Sequence, residues 1–296
     1  MATLREVRAR ISGVKKTQKI TKAMKMVAAA KLRRAQTAVI AARPYARKIR
    51  EFLQHLNANA EFSLDPLLLP REVKGAAIVV VTADRGMCGA FNANVIKTAL
   101  AHTGSHYTEL LASGRLKFFC IGRKGADFFA KHKHPIGRKY IGIYSNLVFT
   151  EAQKIAREIV DGYLRGEYDT VEVVYNEFKS VAQQKIVVES FLPVPPESVG
   201  TGATMTRPVN YIYEPSSGEI ARALVPQHVD FQMWRILLES NAAEQGARMA
   251  AMDNATENAN ELISTLQLLY NKARQAAITK ELLEVVGGAE ALRSSA

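Results

Sequence analysis

Read from Leu4 in alternating steps of three and four, the chain visits Val7, Ile11, Val14, Gln18, Thr21, Lys25, Ala28, Leu32, Ala35, Val39, Ala42, Ala46, Ile49, Leu53 and Leu56. Thirteen of these sixteen positions are apolar, where a 48% hydrophobic chain would supply about eight. A seven-residue repeat of this kind is the seam of a coiled coil. Thr3 with Glu6 makes a capping-box pattern at its start. Residues 14–43 hold neither glycine nor proline, so one helix is predicted over residues 3–57. At ~1.5 Å per residue it would extend roughly 80 Å, more than a compact domain spans, and is expected to project as a rod. Pro44 removes one backbone hydrogen bond, which predicts a bend near Ala41 to Arg43.

A second stripe lies near the other end, through Met252, Ala255, Ala259, Leu262, Leu266, Leu269, Ala273 and Ala276. Residues 227–286 contain no proline and only Gly246. Ser216 with Glu219 can cap the start of this helix, and Gly287-Gly288 supplies a stop. Two apolar stripes at opposite ends of one chain can bury each other as an antiparallel pair. Fourteen of the 18 glycines fall between Gly75 and Gly218, and the periodicity changes there. Strands are predicted at Ala76 to Thr82, Lys117 to Ile121 and Thr170 to Tyr175, with helices at Asn94 to Ala101, Lys124 to Lys131 and Phe149 to Leu164. Alternating strand and helix gives βαβ units and a mostly parallel, Rossmann-like sheet, to which Val181 to Phe191 adds an edge strand. The expected fold class is therefore α/β: a long antiparallel coiled coil of N- and C-terminal helices plus that domain. The expected divisions are residues 1–60, 75–213 and 216–296.

Charge sharpens this picture. The net +12 is concentrated, because residues 1–60 carry 15 Lys and Arg against Glu6 and Glu51 while the remainder is nearly neutral. Such a field asks for acidic surroundings. Nucleic acid is one such partner. Against it stand the absence of an aromatic residue before Tyr45 and the full helix-pairing stripe on the same segment. An acidic protein partner fits at least as well. The longest strong apolar run, Ala76 to Val81, is far short of the ~20 residues that span a bilayer. The basic N-terminus leads into no apolar core of secretory-signal length, so a cytoplasmic chain is expected. Cys88 and Cys120 are far apart and form no CxxC pair, so free thiols are expected.

Motifs for chemistry are sparse. Asp84 to Asn92 is a Gly-rich strand-to-helix turn, the place to look for a phosphate, yet it matches neither GxGxxG nor GxxxxGK[ST]. Gly86 and Gly89 are read as serving turn geometry, and Cys88 as a packed thiol. His102 and His106 are spaced like helix neighbours, but the intervening Thr-Gly-Ser predicts a loop, and no HExxH or GxSxG is present. No catalytic residue, cofactor site or metal site is expected.

Three blocks together resemble the gamma-subunit family of F-type ATP synthases: Thr17 to Lys31, Asp84 to Asn92, and Glu239 to Ala259 leading through Leu266 to Gly287, with its ITxE and GGAEAL features. The resemblance covers essentially the whole chain. It implies a central rotor shaft whose helix pair enters a ring of alternating alpha and beta subunits, with catalysis at the alpha-beta interfaces and the α/β domain outside. The implied partners are the alpha, beta and epsilon subunits and the membrane c-subunit ring, with no nucleic acid and no small-molecule substrate. By the same resemblance, Met24 and Lys25 would face the acidic lever of beta, and Arg274, Gln275 and Thr279 the beta catch loops. Leu282, Leu283, Val285 and Val286 would sit in an apolar bearing. Tyr211, Tyr213 and Glu214 would form the foot at the membrane ring. The resemblance further implies a bacterial protein, peripheral on the cytoplasmic face of the plasma membrane. A basic nucleic-acid-binding protein and a nucleotide-dependent enzyme on the α/β domain are the alternatives.

Overall fold

The computed structural model describes residues 3–56, 65–180, 183–194, 214 and 216–294. Helix α1 runs Leu4–Leu56, with Pro44 inside it. Strand β1 (Ala76–Val81), α2 (Phe91–His106), α3 (Thr108–Ala112), β2 (Leu116–Ile121), α4 (Arg123–Lys131), β3 (Ile136–Tyr140), α5 (Phe149–Leu164), β4 (Thr170–Phe178) and β5 (Gln184–Leu192) follow. Helix α6 then runs Ser217–Ser294. Two compact units result: residues up to Val27 with those from Met249 onward, and Ala28–Arg248.

In the first unit the two helices run antiparallel. The Gln18 side-chain amide donates to Asn260 Oδ1, the Thr21 and Thr256 hydroxyls lie 2.8 Å apart, and Lys25 Nζ meets Asp253 Oδ1 at 2.5 Å. Facing residue numbers thus total 277 or 278, and the three polar interruptions of the α1 stripe each have a polar partner. This arrangement explains how Thr21 can be buried in the same seam as Val7, Met252, Ala259, Ile263 and Leu266. At the start, the Thr3 N–H donates to Glu6 Oε2 and the Glu6 N–H to Thr3 Oγ1, the reciprocal capping box.

The α6 stripe differs from its predicted frame at every second position. Met252, Ala259, Leu266 and Ala273 face the seam, but Leu262 and Leu269 are 48% and 51% exposed. Thr256, Ile263 and Tyr270 take the intervening places. Hydropathy favours Ala255 over Thr256; the pairing of the Thr256 hydroxyl with Thr21 reverses that preference. Gly287-Gly288 does not stop the helix, which continues to Ser294. Glycine costs a helix only about 1 kcal/mol and breaks it only where a turn is also required.

The second unit is a sheet of order β3-β2-β1-β4-β5, parallel except for antiparallel β5. Alternate β1 residues go to opposite faces, as strand geometry demands. Ala77, Val79 and Val81 join a core with Ile155, Ile159 and Tyr163 of α5, Ile49 and Leu53 of α1, and Val229 and Met233 of α6. Ala76, Ile78 and Val80 join Val95 and Ala99 of α2 and Phe129 of α4. The Glu219 N–H donates to Ser216 Oγ at 3.2 Å, the expected cap of α6. The loop expected at His102 to His106 is instead the last turn of α2. Thr103 is buried there and donates to the Ala99 carbonyl at 2.8 Å, which satisfies its hydroxyl without leaving the helix. Strand β3 was not anticipated: a Cβ on Gly137 would lie 2.0 Å from the Phe119 ring, so glycine lets β3 lie against β2.

Candidate functional site

Strand β1 ends in the loop Asp84 to Ala90, which is held from three directions. Thr82 Oγ1 accepts the Gly125 N–H at 2.9 Å, and a Cβ on Gly122 (φ +94°) would come within 2.0 Å of the Thr82 carbonyl oxygen. Asp84 Oδ1 accepts the N–H groups of Arg123 (3.0 Å) and Gly142 (3.1 Å), tying the loop to the start of α4 and the end of β3. Asn92 Oδ1 accepts the Ala83 N–H at 2.8 Å, while its amide donates to Cys88 Sγ at 3.2 Å. Met87 and Gly89 have φ near +60°, which makes the turn tight.

Helix α6 covers this loop. Ala243 packs with Ala83, Cys88 and Phe91, with Ala247 and Phe178 at the margin. One turn on, Arg248 donates to the Glu244 carboxylate and, through its other amino group, to the carbonyl oxygens of Arg85 and Gly86, each at 3.3 Å. Burial pushes the Glu244 carboxyl above its usual range, against the opposing pull of Arg248. Burial likewise raises the Cys88 thiol, so it stays protonated at neutral pH despite Arg248 nearby. Beside the pair lies a polar cavity of about 280 Å³ lined by Lys31, Asp84, Arg85, Tyr144, Ser145, Glu244, Gln245 and Arg248. Lys31, the 84–92 loop and the segment after Glu239 come from three distant stretches of sequence and line this one place. The Gly-rich turn is thus a seat for a helix, with Arg248 on its carbonyl groups. Among the described residues no trio of His, Cys, Asp or Glu is arranged to hold a metal ion.

In the first unit, Met24 and Lys25 are half-buried, and Lys25 is engaged by Asp253. Arg274, Gln275 and Thr279 are exposed on α6, with the Thr279 hydroxyl donating to the Gln275 carbonyl at 3.0 Å. Leu282, Leu283, Val285 and Val286 are 60%, 68%, 72% and 54% exposed. Extending the observed register puts Leu4 opposite Ala273 or Arg274, so these apolar residues lie beyond the start of α1. Glu214 is exposed; Tyr211 and Tyr213 lie outside the described residues.

A model of the family described as ATP synthase matches residues 3–292. The ATP synthase gamma chain of Chloroherpeton thalassium is 51% identical over 304 aligned residues, covering 100% of both chains. The chain belongs to the ATP synthase gamma-chain family. The gamma chain of Chlorobaculum tepidum is 52% identical, covering 99% of this chain and 100% of its own. A rotor structure from the mitochondrial ATP synthase of Euglena gracilis shares the fold, with a TM-score of 0.65, 21% identity, and coverage of 93% of this chain and 98% of that one.

As a member of this family, the chain is a non-catalytic part of ATP synthase and serves as its rotor shaft. The nucleic-acid alternative finds no support in these matches. Among the described residues no helix is long and apolar enough to cross a membrane. Sequence reasoning missed Glu244 with Arg248 and the partners Asp253, Thr256 and Asn260. The signals were present: an i, i+4 acid-base pair on a helix, and polar residues at seam positions.

Proposed function

We propose that residues 1–60 and 216–296 form the shaft and residues 75–213 an α/β domain outside the alpha-beta ring, close to the membrane. The shaft turns within the alpha-beta ring while proton flow drives the attached c-subunit ring. Its asymmetry makes the three catalytic sites unequal in turn. The observation that carries this reading is the antiparallel pair followed by a single helix that leaves Leu282, Leu283, Val285 and Val286 exposed. A lone helix end with Leu282, Leu283, Val285 and Val286 in water is unfavourable by itself. An apolar sleeve would cover it without directional bonds, so it could still turn. Met24, with Lys25 and its basic neighbours, faces the acidic lever of beta in this reading, and Arg274, Gln275 and Thr279 meet the catch loops. Tyr211, Tyr213 and Glu214 contact the c-subunit ring, and the α/β domain also holds epsilon. The site is the cytoplasmic face of a bacterial inner membrane, a reading supported by relatives from Chlorobi bacteria.

Coexpression with alpha and beta subunits, followed by observation of a probe fixed to the α/β domain during ATP hydrolysis, tests the proposal. Unidirectional rotation of the probe is expected. A complex that hydrolyses ATP with the probe stationary, or a chain that fails to copurify with alpha and beta and binds DNA instead, would overturn it.

A further inference from the structure

Twist carried by a long helix reaches the rest of a protein only through contacts that resist sliding. Apolar contact is non-directional. Ala83, Ala243 and Ala247, where α6 lies on the 84–90 loop, are small residues offering little steric purchase. Hydrogen bonds from a planar guanidinium have fixed directions and do resist.

Arg248 supplies them. Its side chain is 12% exposed and that of Glu244 only 7%, so both groups work where water competes weakly. One amino group is held by Glu244 on the same helix, and the other reaches the carbonyl oxygens of Arg85 and Gly86. Glu244 thereby orients the fork, and Gln245 donates to the same carboxylate at 3.3 Å. The far side of the loop is fixed by Asp84, through the N–H groups of Arg123 and Gly142, and by Asn92, through that of Ala83. An unbroken series of directional bonds therefore joins α6 to α4 and to the end of β3. The neighbouring polar cavity of about 280 Å³ is lined by Asp84 and Arg85 of the loop and by Glu244 and Arg248 of α6.

We infer that Arg248 and Glu244, with the carbonyl groups of Arg85 and Gly86, form the clamp through which twist in α6 reaches the 84–90 loop and the α4 side of the α/β domain, beside the hold that Arg235 has on Glu189 of β5. Arg248 and Glu244 are positioning residues, and the inference rests on the shaft reading above. Removing the guanidinium leaves the 84–90 loop with apolar contact from Ala243, while Arg235 on Glu189 and the side chains of Val229, Met233 and Ile236 still hold α6 to the sheet. The helix then shifts against the loop under load, and part of the rotation is lost as slippage while ATP hydrolysis continues.

Two measurements on the full chain test this. In the free chain, thiol labelling of Cys88 reports opening of the loop from α6, with Cys120, buried in the sheet and pushed up to about 12, as internal control. Arg248→Ala should speed Cys88 labelling about tenfold or more, the scale of one lost charged hydrogen bond, and leave Cys120 unchanged. Arg248→Lys, which reaches one acceptor at a time, should fall between. In the reconstituted complex, Arg248→Ala should lower ATP-driven proton pumping at least severalfold while ATP hydrolysis stays within about twofold of the parent. Adding Ala243→Cys, beside the native Cys88, should restore pumping on oxidation and lose it on reduction. Pumping and hydrolysis falling in equal proportion would overturn the inference, as would unchanged pumping with faster Cys88 labelling, or an oxidised pair that forms without restoring pumping. Absence of rotation in the unmodified complex would instead refute the shaft reading itself.

Discussion

Leu266→Ala and Leu269→Ala make the same chemical change three residues apart on one helix, and the structure assigns them different costs. Leu266 is 7% exposed in the seam of the helix pair, whereas Leu269 is 51% exposed. Truncation removes three carbons, at about 0.8 kcal/mol for each one buried, so Leu266→Ala should cost about 2.4 kcal/mol. Two helices flanked by water can close around the gap, which keeps the further cavity cost small. About 2.4 kcal/mol is roughly a fiftyfold rise in the opening equilibrium of the pair. Leu269→Ala should stay within about 0.5 kcal/mol, less than roughly threefold. Amide hydrogen exchange followed by mass spectrometry on the full chain, read over α1 residues 7–21, measures that opening directly. Equal effects from the two variants, or a larger one from Leu269→Ala, would show that the seam follows the other frame and that the pairing of Thr21 with Thr256 is misassigned.

Burial raises the Glu189 carboxyl, but Arg235, Gln232 and Tyr175 outweigh it and hold the group below its usual range. Its stabilising contribution is therefore present above the ordinary carboxylate pKa and is lost as pH falls through the lowered value. Glu189→Gln should lower the denaturant midpoint at about pH 6, with the gap from the parent closing toward about pH 3; a gap constant with pH would refute this. Gly122→Ala forces a Cβ to within 2.0 Å of the Thr82 carbonyl at φ +94°, so a loss of about 3 kcal/mol or more is expected in urea unfolding, and a change under about 1 kcal/mol would contradict it. Leu282→Ser with Val285→Ser should leave the thermal midpoint of the free chain unchanged, because both side chains are exposed there, yet reduce rotation torque in the complex. Destabilisation of the free chain would contradict the exposure.

The α1 stripe was legible because its apolar positions contrast with a strongly basic remainder, and even its polar members sit where the repeat puts them. The α6 stripe was only half legible. Leu262, Ile263, Leu266, Leu268 and Leu269 surround the helix, so apolarity alone does not single out one face. The deciding residue, Thr256, is polar, and its place in the seam depends on a partner 235 positions away. The β1 run was visible as a continuous apolar strand buried on both faces, and β2 and β4 as mostly apolar runs broken by Lys117 and Glu172. Strand β3, IGRKY, lies at the sheet edge and is mostly exposed, so neither alternation nor an apolar run marks it. The α6 seat on the Gly-rich loop was out of reach for the same reason as Thr256: Arg248 bonds backbone carbonyls 162 and 163 residues earlier, and a carbonyl leaves no trace in sequence.

That the two helices turn together is tested most directly by joining them. The Thr21 and Thr256 hydroxyls are 2.8 Å apart, so Thr21→Cys with Thr256→Cys puts two thiols in contact across the seam. Oxidised in the assembled complex, this tether should leave ATP hydrolysis and rotation at the level of the reduced enzyme. Arrest on oxidation, reversed by reductant, would mean that the helices must move past each other during turnover.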